Sequence, residues 1–170
     1  VQAANDGIEV GDDNLLVRNA GAIETTTGQG ISVGSNNTLE NAGTITAGGD
    51  GVLAVGGNTV TNELGGVIDA GGQGITAGSG NTLSNAGTIT AGDDGIGVAD
   101  GNTITNEASG RLQAANDGIE VGDDNLLVRN AGPTAPPAAR GPAAGCGRPH
   151  AHTGSLTAAA RGTPPAPPPP

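Results

Sequence analysis

A Gly followed by Ile or Val recurs at Gly7-Ile8, Gly30-Ile31, Gly51-Val52, Gly74-Ile75, Gly95-Ile96 and Gly118-Ile119, in steps of 23, 21, 23, 21 and 23 residues. Three positions after each Gly stands Val or Ala: Val10, Val33, Ala54, Ala77, Val98, Val121. The residue between varies freely, as Glu9, Ser32, Leu53, Thr76, Gly97 and Glu120. Apolar residues at every second position, with an unconstrained one between, predict a strand with one buried face. A second strand is predicted at Thr-Ile-Thr-Ala 44–47 and 88–91, with Ile and Ala inward. A third is predicted at Asn-Thr-Val-Thr-Asn 58–62 with Val60 inward, and Leu39, Leu83 and Ile104 take the same place. Gly, Asn and Asp fill the corners, as turn chemistry requires.

Two Asn positions keep the same beat. Seven residues after each Gly come Asn14, Asn37, Asn58, Asn81, Asn102 and Asn125. Four or five residues later come Asn19, Asn41, Asn62, Asn85, Asn106 and Asn130. The longer spacing occurs only in Asn-Leu-Leu-Val-Arg-Asn, at 14–19 and 125–130, where one surplus residue predicts a β-bulge. In the later units the 21/23 alternation arises after the second Asn, where Asn62-Glu-Leu-Gly-Gly-Val-Ile68 is two residues longer than Asn41-Ala-Gly-Thr-Ile45.

Three short strands in a unit too small to fold alone, repeated six times, predict an all-β fold, a β-solenoid. It is read as a right-handed parallel β-helix of about six coils with about 22 residues each, because parallel crossovers default to that hand. Strand spacing of about 4.8 Å makes six coils a rod roughly 29 Å long. Inward aliphatics are expected to stack in columns, and the Asn residues to stack too, bonding turn backbone and the Asn of the next coil. An antiparallel sandwich would need hairpin signals every 8–12 residues and leaves the 22-residue register unexplained.

Composition divides the chain. All 17 acidic residues lie in 1–132 and all 11 Pro in 133–170. Three Arg against 17 acids give 1–132 a net charge of −14, while 133–170 carries +3. Residues 133–170, rich in Pro, Ala, Gly and Arg, have Leu156 as their one large aliphatic and are predicted disordered or polyproline-like. The favoured reading of this tail is out-of-frame translation of GC-rich DNA, since it begins in mid-repeat; a Pro-rich linker is the alternative. Gln2 to Gly21 recurs unchanged at Gln113 to Gly132, an internal duplication. With Val1 placed at the start of a strand and neither initiator Met nor signal peptide, the sequence reads as a fragment.

Units such as Asn-Ala-Gly-Thr-Ile-Thr-Ala-Gly-Gly-Asp-Gly-Val (41–52) and Asn-Thr-Leu-Ser-Asn-Ala-Gly-Thr-Ile (81–89) resemble passenger-domain repeats of bacterial autotransporters and haemagglutinin-type surface proteins. The resemblance covers 1–132 only. It implies a right-handed parallel β-helix exported through the outer membrane and displayed at the cell surface, where such passengers serve adhesion, aggregation or display. The function expected is therefore a non-catalytic structural or adhesive rod. The expected partners are ligands on host or neighbouring cells, with self-association through open solenoid ends. The alternatives are a fragment of a polysaccharide-cleaving β-helical enzyme and a Ca²⁺-stabilised repeat module.

The candidate chemistry is thin. No run is long and apolar enough for a membrane-spanning helix, and an acidic rod without Lys does not suit nucleic acid. Asp6, Asp50, Asp94 and Asp117 precede anchor Gly residues, while Gln29 and Gln73 take that place elsewhere; Asp12-Asp13, Asp93-Asp94 and Asp123-Asp124 are acidic pairs. Asp6 and Asp50 would sit two coils apart, about 10 Å, too far to share one Ca²⁺, so these groups are read as solvated turn carboxylates. Polysaccharide cleavage would need paired carboxylates or a basic residue beside a metal. The rod's bases are Arg18, Arg111 and Arg129, and no repeat is interrupted by a site. The pairs Thr44/Thr46, Thr88/Thr90, Thr59/Thr61 and Thr103/Thr105 are expected outward on alternate coils; flat Thr ladders can order water and bind ice, but Val67/Asp69 and Arg111/Gln113 interrupt the first pair of columns and break the lattice, so the Thr are read as ordinary strand residues. Cys146, His150 and His152 fall in the tail with no fold to orient them. No catalytic, cofactor-binding or metal residue is nominated.

Overall fold

The computed structural model describes residues 1–13, 16–125, 127–135 and 143–144. Among these, all regular structure is β-strand, and no helix is long and apolar enough to cross a membrane. Coil 1 comprises β1 (Gln2–Ala3), β2 (Ile8–Val10) and β3 (Leu16–Asn19). Coil 2 comprises β4 (Ala22–Thr25), β5 (Ile31–Ser35) and β6 (Thr38–Asn41). Coil 3 comprises β7 (Thr44–Ala47), β8 (Val52–Gly56) and β9 (Thr59–Asn62). Coil 4 comprises β10 (Val67–Ala70), β11 (Ile75–Ala77) and β12 (Thr82–Asn85). Coil 5 comprises β13 (Thr88–Ala91), β14 (Ile96–Val98) and β15 (Thr103–Asn106). Coil 6 comprises β16 (Arg111–Ala114), β17 (Ile119–Val121) and β18 (Leu127–Asn130). Every third strand pairs in parallel, which gives three sheets running the length of a parallel β-solenoid.

Register is set by identity of place. Ile45, Ile68 and Ile89 pair in the first sheet, as do Ala47, Ala70 and Ala91. Ile75 pairs Val52 and Ile96 in the second, and Leu83 pairs Val60 and Ile104 in the third. All these side chains are buried, so the core is a set of aliphatic columns. A single coil has no neighbour to cover its inward face, so burial comes from stacking.

The anchor Gly now has a cause. A Cβ on Gly30, Gly51 or Gly74 would overlap the Cγ2 methyl of Ile45, Ile68 or Ile89, each one coil further on, and the carbonyl of the next anchor Gly. The first sheet's Ile thus lies against bare backbone where the second sheet begins.

The corner between second and third sheets has its own rule. One residue per coil there has a positive φ: Asp13, Asn36, Gly57, Gly80, Gly101 and Asp124. Each directly precedes an Asn of the first Asn series. Only Gly, Asn and Asp occupy the position, the residues that visit left-handed backbone at least cost.

The two surplus residues of the longer units form a tight turn, in which the Gly66 amide donates to the Glu63 carbonyl at 2.8 Å and Gly110 to Glu107 at 2.9 Å. In the Asn-Leu-Leu segments, Leu16 pairs Thr38 and Leu127 pairs Thr103. This register leaves the extra residue of the expected bulges at 14–15 and at 126, outside the described residues. Past Gly132, β19 (Thr134–Ala135) adds to β16 and β20 (Ala143–Ala144) adds to β17, so the ladder continues beyond the compositional boundary in two short steps. The remaining tail, including the expected disorder and Cys146, His150 and His152, lies outside the described residues.

Candidate functional site

The polar interior is built from Asn. At the end of the third-sheet strands, Asn19, Asn41, Asn62, Asn85 and Asn106 are buried. Each donates its side-chain Nδ2 to the Oδ1 of the Asn one coil on, through Asn130, and all five links are 2.8 Å long. Burying an amide is costly unless it is bonded, and here every link satisfies a donor and an acceptor together.

The other Asn series uses a different bond. The backbone amides of Asn37, Asn58, Asn81 and Asn102 donate to the side-chain Oδ1 of Asn58, Asn81, Asn102 and Asn125 at 2.7–2.8 Å. Its side-chain amides reach back to corner carbonyls, as Asn58 does to Gly34 at 2.8 Å. The expected stacking of both series is therefore present: the later series is linked between coils side chain to side chain, and the earlier one chiefly from backbone amide to side-chain oxygen, with Asn81 Nδ2 also reaching Asn102 Oδ1 at 3.2 Å.

The Asp residues before the anchor Gly also work between coils. Oδ1 of Asp6, Asp50 and Asp94 accepts the backbone amide of Gln29, Gln73 and Asp117, at 2.8, 2.9 and 2.9 Å. Asp12 and Asp100 accept from Ser35 and Asp123 in the same way. The reading of these groups as solvated turn carboxylates needs correction at Asp94, which is only 3% exposed. Gln73 covers it by donating Nε2 to Asp94 Oδ2 at 3.1 Å. Thr76 extends this network, its hydroxyl within 2.9 Å of Asp50 Oδ2 and 2.8 Å of Gln73 Oε1.

Along this column Asp and Gln alternate as Asp6, Gln29, Asp50, Gln73 and Asp94, so carboxylates are two coils apart. The duplicated segment breaks the alternation by placing Asp117 directly after Asp94. Glu120 meets the consequence. Its carboxyl is held above the usual range by a hydrogen bond with Asp94, by the negative charge of Asp94, by desolvation, and by Asp117 and Asp93. Asp117 Oδ1 is buried without a hydrogen-bond partner. Even so, among the described residues no three His, Cys, Asp or Glu side chains group as a metal-holding set. Of the bases, Arg18 sits 3.7 Å from Glu40 on the outer face of the third sheet, and Arg111 is exposed on the first.

The expectation that the Thr lattice is broken holds in one of the two sheets that carry the pairs and needs correction in the other. In the first sheet Thr44/Thr46 and Thr88/Thr90 flank Val67/Asp69, an interruption as expected. In the third sheet Thr59/Thr61 and Thr103/Thr105 flank Thr82/Ser84, which is no interruption. The signal was present in Asn-Thr-Leu-Ser-Asn 81–85, whose match to 58–62 had already placed Leu83.

Fold and corners together define the class, a parallel β-solenoid repeat protein with Asn-laddered corners. Compared with known proteins, the chain matches no family model, no curated sequence and no solved structure at a significant level.

Proposed function

We propose that the chain is a non-catalytic rod, a structural and adhesive segment of a bacterial surface protein of the autotransporter-passenger type. The observation that carries this reading is the uninterrupted Asn ladder from Asn19 to Asn130, with a 2.8 Å link at every coil boundary. An enzyme of this architecture needs convergent acids at a place where the repeat yields to a site. Here Asp6, Asp50 and Asp94, three of the four acids that precede an anchor Gly, are committed to backbone amides of the adjacent coil. Continuous ladders make a stiff body, and the acidic surface favours solubility and repels like-charged surfaces.

The experiment has two arms. The purified chain is incubated with polyuronates and neutral polysaccharides, with and without Ca²⁺, and reducing ends are counted; the same chain is stretched by atomic-force spectroscopy. The rod reading expects no new reducing ends and a cooperative unfolding force. Glycan cleavage, or extension without a force peak, overturns it.

A further inference from the structure

The outer face of the third sheet differs from the rest of this acidic rod. On β9, β12 and β15 it presents Thr59/Thr61, Thr82/Ser84 and Thr103/Thr105, paired in register across three successive coils. Thr38 extends one of the two columns by a further coil, while Glu40 and Arg129 bound the other column at its two ends. None of these three strands contains a charged residue. The seven side chains are exposed or half-buried, and among the described residues none of their hydroxyls bonds to protein. Thr25, Thr27 and Thr76 behave otherwise, each hydroxyl being held by a protein oxygen.

We propose that this face binds ice. A surface that joins an ice lattice must offer hydrogen-bonding groups at fixed repeats, carry no charge with a shell of water to strip, and lose little entropy on binding. The strands repeat at about 4.8 Å and the Thr-x-Thr step is about 6.7 Å. Both repeats are of the order of the oxygen spacings on a prism face of ice. Thr is β-branched, so its hydroxyl and methyl take few orientations. The Asn ladder at the ends of the same strands fixes their register, and side-chain ladders of this kind hold a sheet flat. The first sheet lacks the property, because Asp69 puts a carboxylate between its Thr pairs. With three full ranks the patch is small, so the activity expected is slowing of ice recrystallisation rather than a large depression of the freezing point.

The test uses the full chain at micromolar concentration in an ice-recrystallisation assay and in partition onto a growing ice surface. Heat-unfolded chain serves as the blank. Native chain is expected to slow crystal coarsening and to be enriched in the ice. Thr82→Glu is expected to raise the concentration needed by roughly ten-fold or more, while Thr90→Glu on the first sheet leaves it unchanged. Circular dichroism checks that each variant keeps its β spectrum, and Thr61→Lys replaces Thr82→Glu should that variant unfold. No enrichment of native chain over the blank, or equal loss from the first-sheet and third-sheet variants, overturns the proposal.

Discussion

Asn62 donates its side-chain amide to Oδ1 of Asn85 at 2.8 Å, and Asn85 repeats the bond to Asn106 at 2.8 Å. Both ends of each amide are thus spoken for inside a buried column. Replacing Asn85 by Ala leaves the Asn62 donor with only the 3.4 Å contacts to the Gly66 and Thr88 carbonyls and deprives Asn106 Oδ1 of its donor. Orphaning two buried groups costs about 2–5 kcal/mol. Urea unfolding of the Asn85→Ala chain should show that loss, against almost none for Asn116→Ala on the exposed corner. A near-neutral Asn85→Ala would mean the ladder contributes little.

Two glycines separate steric from conformational cost. Gly80 has a φ of +72° and open space where a Cβ would go, its nearest neighbour being 4.0 Å away. Gly80→Ala should therefore cost about 1–2 kcal/mol, the penalty of left-handed backbone alone. At Gly74 φ is ordinary, but a Cβ would overlap the Ile89 methyl and the Gly95 carbonyl. Gly74→Ala should cost about 3 kcal/mol or more, because an overpacked core has to shift backbone. Equal losses at the two sites in thermal unfolding would contradict this division.

The core columns set a third expectation. Ile68 is 1% exposed in the middle of the first-sheet column. Ile68→Ala should cost about 2–5 kcal/mol through lost burial and the cavity left behind. Arg18→Ala should cost well under 1 kcal/mol, since its pairing with Glu40 is on the surface.

The duplicated segment predicts a pH effect. The Glu120 carboxyl is raised in the folded chain from its ordinary 4.5, chiefly by Asp94. The folded state therefore holds this proton more tightly than the unfolded state. Its stabilising contribution is complete below 4.5 and is lost as pH rises through the raised folded value. Asp117→Gln restores the Asp/Gln alternation and removes one of the nearby charges. This variant should be more stable than the parent at neutral pH and should lose less stability between acid and neutral pH. A parallel pH profile for the two chains would show that the carboxylates at this joint do not communicate.

Much of this architecture was legible because a solenoid writes its geometry into spacing. The anchor Gly, the inward Ile and Val, and both Asn series recur at one period, and each proved to be a column. The reason for the anchor Gly was not legible, since it lies in the approach of Ile45 to Gly30 between coils. Burial of Asp94 was hidden for the same reason, because the covering Gln73 side chain comes from the preceding coil. The hydroxyl face was obscured because the interruptions Val67/Asp69 and Arg111/Gln113 break only the first-sheet columns, whereas along the chain they count against the whole lattice. Once Thr59/Thr61 is placed beside Thr82/Ser84, the array is continuous.

The central claim is the in-register stack of coils, and a distance measures it most directly. Thr26 and Ala115 are exposed at the same corner, four coils apart. Spin labels on Thr26→Cys and Ala115→Cys, with Cys146→Ser, can be read by double electron–electron resonance. The stack predicts a narrow distribution with backbones about 19 Å apart. A broad distribution centred near 50 Å, the scale of a flexible chain of that length, would contradict the solenoid.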